Sequence, residues 1–144
     1  MSQQTESDAK RAMLKLVEES LPSGIPTRWQ NVLFTPPLRT LWFAVNYVPV
    51  NNKVVSLGSN GENEVQGFVQ VDVNVPMDSG EKESDDTLKT LEKRFVPGHS
   101  TVYDLTEAVV TACKRSPGRD VLGFWRVSLT VDFYSRIKRQ TPTP

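Results

Sequence analysis

Apolar and polar side chains alternate almost without fault over residues 67–76, where Val69, Val71, Val73 and Val75 take one parity and Gln70, Asp72 and Asn74 the other. A β-strand turns successive side chains to opposite faces, so the run predicts a strand with one core face and one wet face. The pattern returns near the C-terminus, where Trp125, Val127, Leu129, Val131 and Phe133 interleave with Arg126, Ser128, Thr130 and Asp132. Two strands of matched pattern predict an antiparallel sheet covered on one side only.

Helical spacing governs two other segments. Ala9, Ala12, Met13, Leu16 and Val17 predict a first amphipathic helix, with Thr5 and Asp8 as its capping pair and Leu21-Pro22-Ser23-Gly24 as its stop. Leu88, Leu91 and Phe95 mark a second; Asp85 and Asp86 in its first turn and Lys93 and Arg94 in its last suit the helix dipole, and Pro97-Gly98 ends it. Between residues 25 and 39, Pro26, Pro36 and Pro37 restrict regular structure to a short edge strand or an extended loop. Residues 41–48, apolar on both faces, read as a strand in the sheet interior or at a subunit contact, ended by Pro49. Residues 53–57 predict a further short strand, followed by the turn Gly58-Ser59-Asn60-Gly61. Residues 107–114 predict a strand that forms a hairpin with 122–134 across residues 116–119. The order of helix, strands, helix, strands lacks the strand–helix alternation of a parallel sheet. The predicted fold is therefore α+β: a mostly antiparallel sheet with two helices packed on one face and the other face open.

Length and charge narrow the picture. A chain of 144 residues with 38% hydrophobic content suits one domain, here residues 1–135, followed by a flexible basic tail over 136–144. Lys plus Arg equals Asp plus Glu at 17 each, which gives no argument for a strong nucleic-acid or membrane binder. The distribution is uneven: charges between residues 62 and 92 are mostly acidic and those between 114 and 139 mostly basic. Such a protomer is suited to head-to-tail contact with copies of itself. The single cysteine, Cys113, lies in an apolar run and reads as a small core residue. No stretch reaches the roughly 18 apolar residues of a membrane span, and the first residues lack an apolar signal region, so a soluble protein is expected.

Candidate chemistry is sparse. The one histidine, His99, follows Pro97-Gly98 in a turn, and no His, Cys or carboxylate spacing fits a metal site. Neither a phosphate-binding glycine loop nor a nucleophile elbow is present. The expectation is a protein that is not an enzyme and needs no cofactor and no metal. An RNA-binding module would carry aromatics on the open sheet face, whereas the two long strands place Asp72 and Asp132 there, which repel phosphate.

Taken as a set, Trp29-Gln30-Asn31-Val32, Phe34-Thr35-Pro36-Pro37, Trp42, Gly67-Phe68-Val69-Gln70-Val71-Asp72-Val73 with Val75-Pro76 and Gly80, and Trp125-Arg126-Val127-Ser128 resemble the tail terminator proteins of long-tailed bacteriophages. The resemblance covers about Thr27 to Tyr134. It implies an α+β structural virion protein that assembles as a hexameric ring on the head-proximal end of the tail tube. There it stops tube growth and joins the tail to the head completion, or connector, proteins, after assembly in the host cytoplasm. Its partners would be its own copies, the tail tube protein and those connector proteins, with DNA passing through the lumen without specific binding. On this reading Gln70, Asp72, Asn74, Ser128, Thr130 and Asp132 face the lumen. Trp29, Phe34, Pro36, Trp42, Phe68 and Pro117 make the subunit interface, and Arg136, Lys138 and Arg139 are candidates for contact with a neighbouring ring. The alternatives are another neck or head–tail joining component, or a small nucleic-acid-binding module.

Overall fold

The computed structural model describes residues 4–139, in the order α1 (Glu6–Ser20), β1 (Thr27–Trp29), β2 (Trp42–Val54), β3 (Glu62–Pro76), α2 (Lys82–Arg94), β4 (Ser100–Tyr103), β5 (Thr106–Arg115), β6 (Arg119–Val121) and β7 (Phe124–Lys138). The class is α+β. The strands form a mixed sheet in the order β1-β2-β3-β7-β5-β4, with β6 also on β7. β1 runs parallel to β2 and the other pairings are antiparallel. The parallel pair needs no crossover helix, because the proline-bearing loop after Trp29 brings the chain back to start β2 beside β1.

β3 and β7 pair along their whole lengths, from Glu62 opposite Lys138 to Pro76 opposite Phe124. That register sets Val69 against Val131, Val71 against Leu129 and Val73 against Val127. With Phe43 and Val45 of β2, these side chains join Ala9, Met13 and Val17 of α1 and Leu88 and Leu91 of α2 in one buried cluster, closed by Phe95. Each fully buried aliphatic side chain contributes roughly 1.5–3 kcal/mol relative to exposure, so the cluster dominates the folding free energy.

Local chemistry places the helices. The Thr5 side chain caps α1 by accepting a hydrogen bond from the Asp8 amide at 3.0 Å, and Leu21 ends it in an extended conformation. Thr5 also donates its own amide to Thr106 Oγ1 at 3.1 Å, which fixes the helix start to β5. α2 has no side-chain cap at its start, but it carries Lys93 and Arg94 in its last turn, where the helix dipole favours cations.

Several boundaries differ from the sequence expectation. The connection after β5 is not a bare turn over 116–119: residues 119–121 form β6, and Leu122-Gly123 make the tight turn into β7, which therefore begins at Phe124 and not at residue 122. β2 does not stop at Pro49: it runs to Val54 and so takes in the start of the short strand expected over residues 53–57, whose remainder is not strand. β1 covers only residues 43–45 of β2, so Pro49 lies on an open outer edge where its missing N–H leaves no ladder bond broken, and a register shift follows it. β7 likewise runs past Tyr134 to Lys138, because β3 supplies pairing partners as far as Glu62. The expected tail therefore begins as strand, and residues 140–144 lie outside the described residues.

The sheet carries a transverse crease. β2 shifts register between Pro49 and Asn51, and β5 shifts between Val110 and Ala112. Pro49 sits opposite Gly67, Gly67 opposite Phe133 and Phe133 opposite Val110, so both bulges fall on one line across the sheet. Gly67 is required there: a Cβ would lie 2.8 Å from the Val48 carbonyl oxygen and 3.2 Å from the Phe133 ring.

Candidate functional site

The even-numbered side chains of β3 and β7 make the face turned away from the core. At one end of it, register and short side chains build a polar network. Asp72 of β3 stands opposite Ser128 of β7 on one side and Ala44 of β2 on the other. Ser128 Oγ donates to Asp72 Oδ1 at 2.5 Å, Gln70 Nε2 donates to the same oxygen at 2.9 Å, and Arg126 Nη1 lies 3.8 Å from Asp72 Oδ2. Arg126 Nε donates to Asn74 Oδ1 at 2.7 Å. Arg119 of β6 donates to Ser128 Oγ at 3.0 Å and to Ser116 Oγ at 3.2 Å.

This arrangement corrects the picture of a uniformly wet face. Asp72, Asn74 and Ser128 are only 2%, 0% and 4% exposed, whereas Gln70, Thr130 and Asp132 are half-buried. Bonding among themselves, to Arg119 and to Arg126 satisfies the buried groups, so the alternation marked polarity correctly without marking access to water.

The aromatic residues expected at an interface divide similarly. Trp42 is buried, stacked between Phe34 at 5.3 Å and Phe124 at 5.4 Å, the latter edge-on. It therefore pins the loop after β1 to the β6–β7 turn and offers no surface of its own. Trp29 is half-buried and packs on the margin of the core cluster, Phe34 and Phe68 are half-buried, and Pro36 and Pro117 are exposed. Close to these residues in sequence are exposed apolar side chains: Leu33 is 100% exposed, Leu38 83% and Leu122 94%. Leu122 also holds φ at +51° ahead of Gly123 at +85°, the geometry of a tight β-hairpin turn. A leucine costs roughly 1–2 kcal/mol in that left-handed conformation, where glycine or asparagine would be at ease.

The basic residues after Tyr134 find partners inside the chain. Arg136 Nε donates to Glu64 at 3.0 Å, and Arg139 donates to the carbonyl oxygens of Glu62 and Gly58 and to Asn63 Oδ1 at 3.0, 2.6 and 2.6 Å, and also to the Ser56 carbonyl. Arg139 thus closes the β2–β3 loop. Burial pushes the Glu64 carboxyl upward, but hydrogen bonds from Lys53, Arg136 and Gln66 outweigh it and hold the group below its ordinary value. Lys138 remains exposed, its amide bound to Gln4 Oε1 at 2.7 Å.

Among the described residues no constellation for catalysis emerges. A cleft of about 360 Å³ opens beside the start of α2, but its rim charges Asp85 and Arg115 are paired to each other at 2.6 Å. Burial, with Glu92 and Asp132 nearby, pushes the Cys113 thiol up to about 11, a poor nucleophile. Among the described residues no group of three His, Cys, Asp or Glu side chains could hold a metal ion.

Sequence reasoning missed the placing of Arg119 opposite Arg126. Arg119 occupies a strand of three residues, too short for any periodicity to mark. It also passed over Leu122, for which the Leu-Gly pair ahead of a long strand is the available signal.

A family model described as phage tail terminator protein matches residues 8–133 of the chain. No curated protein matches it. One solved protein structure aligns with a TM-score of 0.71 at 17% identity, covering 96% of this chain and 99% of that one, a likeness of fold.

Proposed function

The chain belongs to the phage tail terminator family, a structural family of the phage tail, and from that premise we propose that its copies form a ring, hexameric as the resemblance implies, on the head-proximal end of the tail tube. The ring ends tube polymerisation and presents its far side to the head completion proteins. The family match over residues 8–133 is the observation that carries this reading.

Three features of the chain support it. Both helices contribute to one buried cluster with the odd-numbered face, which leaves the even-numbered face for a bore lined by Gln70, Thr130 and Asp132, with Asp72, Asn74 and Ser128 just beneath. Neutral amides, hydroxyls and sparse carboxylates hold a passing polyanion weakly, as a conduit requires. Among the described residues no strand lies beside the outer edge of β2 beyond Val45, and an open edge is a template on which another chain can pair. Leu33, Leu38 and Leu122, exposed and each within a few residues of the stacked Phe34, Trp42 and Phe124, are apolar side chains that a neighbouring virion protein would cover.

The test is assembly. Mass photometry of purified protein should give a multimer, electron microscopy a ring of tube diameter, and addition to polymerising tube protein should shorten the tubes. A protein that stays a lone protomer, both free and on tubes, would remove the reading.

A further inference from the structure

One cross-strand row reaches from edge to edge of the sheet. Asn51 of β2 stands opposite Gln66, Gln66 opposite Tyr134, Tyr134 opposite Val109, and Val109 opposite Ser100 of β4. Among the described residues no strand lies outside β4, nor outside β2 at this row, because β1 reaches only as far as Val45. Residues 52–54 of β2 and 101–103 of β4 continue on the same side of the row, and the two strands run in the same sense.

Both edges are apolar, and α1 flanks each of them. Val50 and Val54 of β2 are exposed, as are Val102 and Tyr103 of β4 and Leu105 in the turn that follows. Glu6, in the first turn of α1, accepts a hydrogen bond from Asn52 Nδ2 at 3.0 Å, which sets its carboxylate at the β2 edge. Lys15 Nζ donates to the Val102 carbonyl oxygen at 3.5 Å, which sets its ammonium at the β4 edge. Asn52 lies one residue past the common row and Val102 two, so the two charges differ in level by about 3.3 Å. Among the described residues neither Glu6 nor Lys15 has an ion pair. The neighbouring charges stand off this level or are already paired: Lys10 lies over the Tyr47 ring at 5.4 Å and Asp104 in the turn past Tyr103, while Arg11 pairs with Asp8 at 3.5 Å and Lys53 with Glu64 at 3.3 Å.

We propose that the β2 edge of one copy docks on the β4 edge of a second copy of this chain, with Val50 and Val54 covered by Val102, Tyr103 and Leu105 and with Glu6 paired to Lys15. The proposal rests on the ring reading above, in which the even-numbered face turns to the bore. The two edges then turn sideways, toward the neighbours on either hand. A rotation about the bore keeps every patch at its height, and with the strands running along the bore the common row sets the two edges level. One chain carries both halves of the joint, apolar against apolar and anion against cation. A copy of the same chain therefore satisfies both edges at once, whereas a foreign partner would match only one.

Sedimentation at low ionic strength tests it, with thermal melts run alongside. Lys15→Glu should weaken association about fivefold or more, because it turns an attraction into a repulsion, and Glu6→Lys should do the same. The chain carrying both substitutions should regain association. Leu105→Asp should weaken association about tenfold through the apolar half alone, with its melt unchanged because Leu105 is exposed in the protomer. Unaltered assembly of Lys15→Glu and Leu105→Asp would overturn the proposal while leaving the ring reading intact. So would a combined variant that melts like the wild type and fails to recover; where its melt falls, Leu105→Asp decides. A wild-type chain that never assembles would overturn both.

Discussion

At the scale of single residues, Leu122 holds a conformation that its side chain opposes and an exposure that its hydrophobicity opposes. Leu122→Asn should raise the stability of the isolated protein by about 1 kcal/mol, read as a higher urea midpoint, because asparagine tolerates positive φ. The same substitution should weaken docking to the neighbouring virion component, read in tube-capping assays. Glu64 gives a pH dependence. Its carboxyl ionises at lower pH folded than unfolded, so its contribution is complete at neutral pH and is lost as pH falls through the ordinary carboxylate value of 4.5 and below. Glu64→Gln should flatten the fall of stability with acid in that window, followed by urea unfolding across the acid range. Cys113, its thiol pushed up to about 11 by burial, should react with a thiol reagent at pH 8 at least about tenfold more slowly than an exposed cysteine. Rapid labelling of the native protein would contradict the packing described for β5.

At the scale of elements, the long strands and both helices were legible because each carries a repeating demand. Valines every second residue commit β3 to one buried face, and Leu88, Leu91 and Phe95 commit α2 to another element. What stayed hidden depends on partners rather than on pattern. Pro49 reads as a strand end until β1 is seen to stop short of it, and Asp72, Asn74 and Ser128 read as wet until Arg119 and Arg126 are seen bonded to them. β6, three residues long, carries no period at all, which is why Arg119 opposite Arg126 was invisible in the sequence. Packing of the two central strands leads to a further expectation. Gly67→Ala should destabilise by about 1–3 kcal/mol, since the added methyl meets the Val48 carbonyl and the Phe133 ring, and a thermal melt would register the loss.

At the scale of the whole molecule, one protomer offers several unlike surfaces: an open β2 edge, exposed leucines such as Leu33 and Leu122, and a half-buried polar face. The ring proposed above would give each of these surfaces a use. The two register shifts beside Gly67 add a mechanical consequence. β2 and β5 each hold a spare residue there, and of the two strands between them β3 sets a glycine against Phe133 of β7, so the sheet bends along that line. The β2–β3 end beyond that line stays laced to β7 through Tyr134–Lys138 and is clasped by Arg139, so the bend has a set direction and the curvature of the outer surface is written into the protomer before any neighbour arrives.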